Sequence, residues 1–527
     1  MGSAVTKDAS SSRSQLVRES ATGSLGSFFA LGAGLLLDLT LAFLLGAGSE
    51  TDALFVALRI PLGVAVFFPP TAIQVLVPVI SRWLDQKDKR ATDVQTSAVV
   101  VATFLLSGGV ALAGILAAPL LTRMIAPGLG ADAHQLATGL ARVVFLIIPP
   151  IATSEVLRAY RHAHRAHGLA SALQGVLGLT IVAILLLFSR QISVEVAAWA
   201  YVAGAFGQLI GAWVIARASG FQFLLGSILT PEIRTIGNLA TRPLGASAIQ
   251  LATRVVEQMI ASFLAPGSIT ILTYANRLVS AVGGTLFFRP IMTAFLGPMT
   301  LSHIGGNSQR TRELLRDGLR TMLMISAALF AVVAVAGTPF VTGLFGLGSF
   351  DPSQARILGI VVAVYAASLP GAGLQRMLLG FSFARLDTST YLRNTSYGAV
   401  ANLGVLAVML LTWRPPLAIL MIPIAYGIAQ AVNVWHAAVA VRRQLGPPFA
   451  GLERVVAKVA IVVLAASIVM VVVRTWLSPA PAGPPLILVG VGLATAAAGA
   501  ISLAAGWLLA APAEARRLLA KLRQSTA

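Results

Sequence analysis

Gly23 to Gly48 reads GSLGSFFALGAGLLLDLTLAFLLGAG, and its only charge is Asp38. The run is too long for a signal-peptide core of roughly 7–15 apolar residues. It is long enough to cross the ~30 Å hydrocarbon core of a bilayer, which takes about 20 helical residues. It therefore reads as a retained transmembrane helix. The residues before it, 1–22, are polar and serine-rich and read as a disordered tail.

Similar runs recur along the whole chain. The expected spans are 24–47, 53–82, 95–121, 133–160, 168–188, 194–217, 236–264, 269–303, 316–342, 353–382, 391–412, 416–440, 454–475 and 485–511. About fourteen spans predict an all-α, polytopic membrane protein. Composition agrees, with 57% hydrophobic and 11% charged residues and a mean hydropathy of +0.85. A soluble domain carries about 25% charged residues, so water cannot be the only solvent of this surface. Cysteine is absent, which excludes a disulfide framework and a thiolate metal site.

The net charge of +19 is distributed by loop. Alternate connections are basic, as at Arg82, Lys87, Lys89 and Arg90, then Arg158, Arg161 and Arg165, then Arg310, Arg312, Arg316 and Arg320. The intervening ones carry little more than Arg123, Arg190, Arg414 and Arg474. Positive loops stay in the cytoplasm, so both termini are expected inside, with the connections near 189–193 and 412–416 outside. This bias accounts for the charge without nucleic acid, and no loop is long enough to fold into a reader domain.

The chain also resembles itself. Val66-Phe67-Phe68-Pro69-Pro70 and Pro78 match Leu286-Phe287-Phe288-Arg289-Pro290 and Pro298 at an offset of 220 positions. The same offset pairs Pro119 with Pro339, Thr122 with Thr342, Gly128 with Gly348 and Pro150 with Pro370. Helices one to six and seven to twelve are expected to be two parallel copies of one unit, which suits alternating access around a central cleft. The expected organisation is a tail at 1–22, six-helix lobes at 23–225 and 226–446, and an extra helix pair with a basic tail at 447–527.

A charge inside a span costs roughly 2.5–3.5 kcal/mol on insertion scales, so each one needs a reason. The deep set is Asp38, Arg59, Arg254, Glu257, Arg277 and Arg289, with Asp52 at the outer end of helix two. Arginine stays charged and offers phosphate a planar fork, so Arg277, Arg59, Arg289 and Arg254 are the candidates for holding a diphosphate. Asp38, Asp52 and Glu257 are the candidate cleft carboxylates for coupling. Internal neutralisation is the competing reading, Arg254 with Glu257 as an i, i+3 pair and Arg59 with Asp52 or Asp38. Arg277 has no carboxylate near it in sequence. The Arg161–His167 segment, rich in His and Arg, lacks carboxylate and Cys partners and reads as a solvated loop against lipid headgroups. No metal site and no cofactor is expected.

Two stretches carry a family resemblance. Ile260-Ala261-Ser262-Phe263-Leu264-Ala265-Pro266-Gly267-Ser268, followed by Tyr274-Ala275-Asn276-Arg277-Leu278, resembles the MurJ/MviN lipid II flippases. So does Gly46-Ala47-Gly48 with Thr51-Asp52-Ala53, Phe55-Val56-Ala57 and Pro61. The resemblance implies a bacterial inner-membrane protein that is not an enzyme. It further implies a fourteen-helix flippase whose cleft arginines hold the diphosphate of an undecaprenyl-linked saccharide, with the last helix pair forming a groove for the lipid tail. Arg277, Asp52 and Asp38 match the family's pattern, whereas Leu31, Leu37 and Ala65 stand where it has arginines. Lipid II is the first substrate expected, with an exopolysaccharide or O-antigen repeat unit as the alternative. A small-molecule cation antiporter and a non-transporting scaffold are more distant ones. A monovalent coupling ion is left open.

Overall fold

The structure is a computed structural model that describes residues 25–65, 67–68, 72–86, 88–164, 167–227, 231–385, 387–412, 418–477 and 484–510. The tail at 1–22, the Pro69–Pro70 pair, Lys87, Arg165, Arg414 and the C-terminal Arg516, Arg517, Lys521 and Arg523 lie outside the described residues. Among the described residues there is no β-strand.

The first of two compact units runs up to Thr270. It holds α1 (Leu25–Leu45), α2 (Ser49–Ala65), a π turn at Ala72–Leu76 leading into α3 (Val77–Asp85), and α4 (Lys89–Ile125). Then come α5 (Ala131–Val144), α6 (Ile148–Ala163), α7 (His167–Leu187), α8 (Val194–Ala218) and α9 (Pro231–Ala261). In this unit α2 packs on α5, α4 on α6, and α7 and α6 on α8. By sequence, α9 opens the second repeat, yet it packs with α2 and α4 of the first unit.

The second unit begins at Ile271, inside α10 (Ser268–Ser280). A π segment at Ala281–Phe288 joins α10 to α11 (Arg289–Ile304). There follow α12 (Ser308–Phe345), α13 (Pro352–Ala366), α14 (Leu369–Ala384), α15 (Thr388–Thr412), α16 (Met421–Leu445), α17 (Glu453–Leu477) and α18 (Pro485–Ala510). The extra pair, α17 and α18, packs against α12. The backbones approach closely there: a methyl added at Gly343 would lie 2.5 Å from the Pro485 carbonyl, and one at Gly492 would lie 2.5 Å from Phe340. Small residues permit such contact between membrane helices, where the lipid offers no hydrophobic drive to association.

Element boundaries recur at the offset seen in the sequence. Both α4 and α12 are long, at 37 and 38 residues, and both carry an internal proline, Pro119 and Pro339. Each is capped by a short polar side chain: the Ala91 N–H donates to Asp88 at 2.9 Å, and the Arg310 N–H donates to Asn307 at 2.9 Å. The next span breaks in both copies. A 3-10 turn at Phe145–Ile147 separates α5 from α6, and Ala367–Ser368 separates α13 from α14. Pro149–Pro150 and Pro370 open the following helices, because proline disfavours helix in the residue before it but fits a first turn, where no N–H is needed.

Among the described residues, eleven helices are long and apolar enough to cross a membrane, and the bent α13–α14 pair makes up to twelve. The two remaining expected spans are the second and the seventh. The second is split between α2 and α3, and α9 is long but carries Arg234, Arg254 and Glu257. The spans that miss the apolar test are thus two that carry candidate charges. Helices outrun the expected spans elsewhere: 37 residues of α4 reach about 55 Å at 1.5 Å per residue, well beyond the hydrocarbon core.

Candidate functional site

The two stretches that carry the family resemblance meet in the first unit. Asp52 is buried, and its carboxylate accepts from the Gly267 N–H at 2.7 Å, the Thr270 N–H at 2.8 Å and the Thr270 hydroxyl at 2.7 Å. Nearby, the Gly128 N–H donates to Ser262 Oγ at 3.0 Å. Both oxygens of Asp52 are thereby committed to holding the turn before α10. Asp52, one of the candidate coupling carboxylates, thus anchors this turn in the structure.

Arg59 on α2 donates through Nε to Gln258 on α9. Gln258 is 2% exposed, so this bond ties α2 to α9 in a dry setting. Arg254 is exposed and Glu257 half-buried on α9, and Asp38 is buried on α1.

Sequence reasoning missed a buried charge cluster in this unit. Arg158, expected in a basic loop, lies on α6 and is 5% exposed. It pairs with Glu155 one turn earlier and donates through Nε to the Ala170 carbonyl at 2.8 Å. Asp93 on α4, 1% exposed, accepts from the Tyr160 hydroxyl at 3.1 Å. The Ser97 hydroxyl accepts from the Leu224 N–H at 3.1 Å, pinning the segment after α8. The i, i+3 spacing of Glu155 and Arg158 was the available signal. In the Arg161–His167 segment, Arg161 donates to Ser219 and the His164 ring lies 4.4 Å from that of Tyr160. These residues are packed rather than merely solvated.

In the second unit, Arg277 is half-buried on α10. One turn earlier, Tyr274 packs its ring against Phe345 and Phe350. Arg289, at the start of α11, is exposed. Arg376 on α14 is also exposed, and its Nη1 donates to the Gly284 carbonyl at 2.9 Å. The same carbonyl accepts from the backbone N–H of Arg289. Next to Arg376, Gln375 donates to Asn394 Oδ1 at 2.6 Å, and the Asn394 amide donates to the Asn433 carbonyl at 2.7 Å. Asn394 is fully buried. This amide chain links α14, α15 and α16 without a formal charge.

A cavity of about 470 Å³ lies elsewhere, lined by Asp132, Gln135, Glu195 and Trp199 among others. None of the seven candidate residues borders it. Among the described residues, no group of three His, Asp or Glu side chains is placed to hold a metal ion.

The comparisons with known proteins agree with one another. A family model described as lipid II flippase MurJ matches residues 41–480. The lipid II flippase MurJ of Burkholderia cenocepacia is 24% identical over 368 residues, 68% of this chain and 71% of that protein. A probable lipid II flippase MurJ of Rhizobium meliloti is 24% identical over 413 residues, 76% of each. Among solved structures, a lipid II flippase MurJ in an inward closed conformation superposes with a TM-score of 0.74 at 17% identity, covering 91% of this chain and 97% of that one. An inward-facing multidrug transporter of the MATE family matches with a TM-score of 0.63 at 14% identity, covering 79% and 94%.

Proposed function

The chain belongs to the lipid II flippase MurJ family, whose model spans residues 41–480, and on that premise we propose that it carries lipid II from the inner to the outer leaflet of the bacterial inner membrane. That match over most of the chain is the observation that carries the reading. Its apolar helices make it a membrane protein, and its substrate is a lipid-linked saccharide. Transport changes the side of the membrane on which the substrate lies and breaks no covalent bond, so no catalytic residue is assigned. In this reading both termini are cytoplasmic, as the alternation of basic and charge-poor connections in the sequence implies.

Within this reading Arg277, Arg59, Arg289 and Arg254 draw the diphosphate into the pathway, because a guanidinium holds phosphate oxygens in two charge-assisted bonds. Asp38 and Glu257 are the carboxylates left for coupling, with Asp52 engaged as an anchor. The test is depletion of the protein in its native host, followed by analysis of inner-leaflet precursors. Accumulated lipid II is the expected result. Accumulation of an exopolysaccharide or O-antigen repeat unit on its carrier, with lipid II unchanged, overturns the substrate.

A further inference from the structure

The amide chain of the second unit ends on a histidine. His436, half-buried on α16, lies against Tyr397 of α15, with ring centroids 4.7 Å apart. Its Nδ1 is 3.3 Å from Nδ2 of the buried Asn394. The surrounding bonds fix which atom donates. The Asn433 carbonyl can only accept, so the Asn394 atom 2.7 Å from it is the NH2 group. On its other side, Asn394 Oδ1 accepts from Gln375 at 2.6 Å. The second N–H of the Asn394 amide is left for His436, which makes Nδ1 an acceptor. An imidazole that accepts at Nδ1 is neutral and carries its proton on Nε2.

We propose that His436 is a proton-binding switch, which closes the chain joining α14, α15 and α16 when neutral and opens it when protonated. A proton on Nδ1 sets a donor against the Asn394 donor, and that bond is lost. Turning the Asn394 amide over does not restore it, because Oδ1 would then face the Asn433 carbonyl. The interface also holds an acceptor for a freed donor. Asn433 Oδ1, one turn before His436 on α16, is buried and has no hydrogen-bond donor among the described residues. Buried acceptors are rarely left so, and this one stands beside the group that would gain an N–H.

The groups around the ring favour its neutral form. From α15 come Tyr397 and the exposed Arg393, which adjoins Asn394 in sequence, and from α16 comes the exposed Arg443, two turns on. Helix α14 brings the neutral Gln375, while Arg376 is bonded to the Gly284 carbonyl. Helix α13 meets α16 through Tyr365 against Tyr426, nearly three turns from His436, and the turn before α16, Ala418–Leu420, is apolar. His436 forms no ion pair among the described residues. It lies nine residues before the end of α16 at Leu445, about 13 Å from that basic end at 1.5 Å per residue. That end is cytoplasmic in the reading above, so the proton comes from the cytoplasm. Because the closed chain uses the neutral ring, acid favours the open form.

The experiment uses the purified full-length protein in detergent. The chain has no cysteine, so Ala429→Cys, two turns before His436 on the same face of α16 and 3% exposed, gives a single buried thiol. Its reaction with a maleimide reports opening of the interface. His436→Gln keeps a neutral acceptor and cannot be charged, whereas His436→Arg fixes a cation there. An ordinary histidine titrates at about pH 6.5, so the comparison is made at about pH 5.5 and about pH 8. At the lower pH the thiol should react about threefold faster or more with His436 present than with His436→Gln, and at the higher pH the two should match. With His436→Arg the thiol should react fast at both. Melting temperatures of the cysteine-free proteins give the same comparison should Ala429→Cys fail to fold, the unaltered protein losing more on acidification than His436→Gln. Equal acid responses of those two overturn the switch. So does a His436→Arg protein that is as closed at the higher pH as the unaltered one. No readout involves a lipid substrate, so either result leaves the transport reading where it stands.

Discussion

The two units place polar groups at matching positions in the repeat and satisfy them with different chemistry. In the first unit, Glu155 on α6 forms a buried ion pair with Arg158. At the matching place on α14 stands Gln375, which donates to Asn394 and starts a neutral amide chain. The first unit also meets Asp93 with a tyrosine hydroxyl and Asp52 with two N–H groups and a hydroxyl. In the second, neither Arg289 nor Arg376 forms an ion pair among the described residues. At this repeat position one copy of the fold spends an ion pair on holding itself together, and the other uses neutral amides. A shared architecture does not dictate a shared use of charge.

This contrast is most easily broken at Arg158. Removing one member of a buried pair strands the other, at a cost of about 3–5 kcal/mol. Arg158→Leu should therefore lower thermal stability sharply in detergent, and Glu155→Leu added to it should recover most of the loss. A harmless single substitution would show that the pair is not a structural element. Asp52 comes next. Asp52→Ala removes an acceptor shared by three donors, and about 2–3 kcal/mol of stability should go with it, measured by the same unfolding assay. If transport fails while stability holds, the anchoring role is wrong and the coupling role returns.

The neutral side of the comparison should respond less. Polar contacts between membrane helices average about 0.6 kcal/mol and reach about 1.7. Asn394→Leu should fall in that range, and a loss as large as that of Arg158→Leu would erase the distinction between the units. The smallest effect belongs to Asp387, outside the spans. It accepts from the N–H and hydroxyl groups of Ser389 and Thr390, and the Ser389 hydroxyl above all pulls its pKa down to about 2. A depressed carboxyl stabilises the fold above its unfolded value of about 3.9 and loses that stabilisation as pH falls through about 2. Asp387→Ala should cost about 1 kcal/mol near neutrality, as for a lost helix cap, and nothing once both states are protonated. Unfolding curves at pH 7 and in strong acid would show whether the two proteins converge.

Much of the fold was legible because lipid imposes a simple rule. Apolar runs of sufficient length became helices, and the 220-position offset reappeared in the helix ends at Ile125 and Phe345, with breaks after Val144 and Ala366 two positions off it. The ends of α4 and α12 were not legible, since helices that leave the bilayer turn polar and no longer look like spans. The site was harder. Arg158 looked like loop charge because it was read together with Arg161 and Arg165, although Glu155 lies one turn before it on the same helix. The bonds of Asp52 were not legible because its donors lie 215 and 218 positions away. Arg59 was a diphosphate candidate with a nearby carboxylate as the competing partner, and the bond of its Nε to Gln258 from α9 could not be read from sequence. Side chains satisfied across long loops leave no local pattern, so their roles appear only once helices are packed.

The central claim is that this chain moves a diphosphate-linked lipid and that Arg277 grips it. The direct measurement is translocation in proteoliposomes, following the appearance of labelled lipid II at the outer face for the unaltered protein, Arg277→Ala and Arg277→Lys. Charge-assisted bonds contribute about 1.5–3 kcal/mol each, so Arg277→Ala should slow translocation at least about tenfold while inserting at normal yield. Arg277→Lys should keep part of the rate, as a point charge without a fork. Full translocation by a stably inserted Arg277→Ala protein would contradict the account.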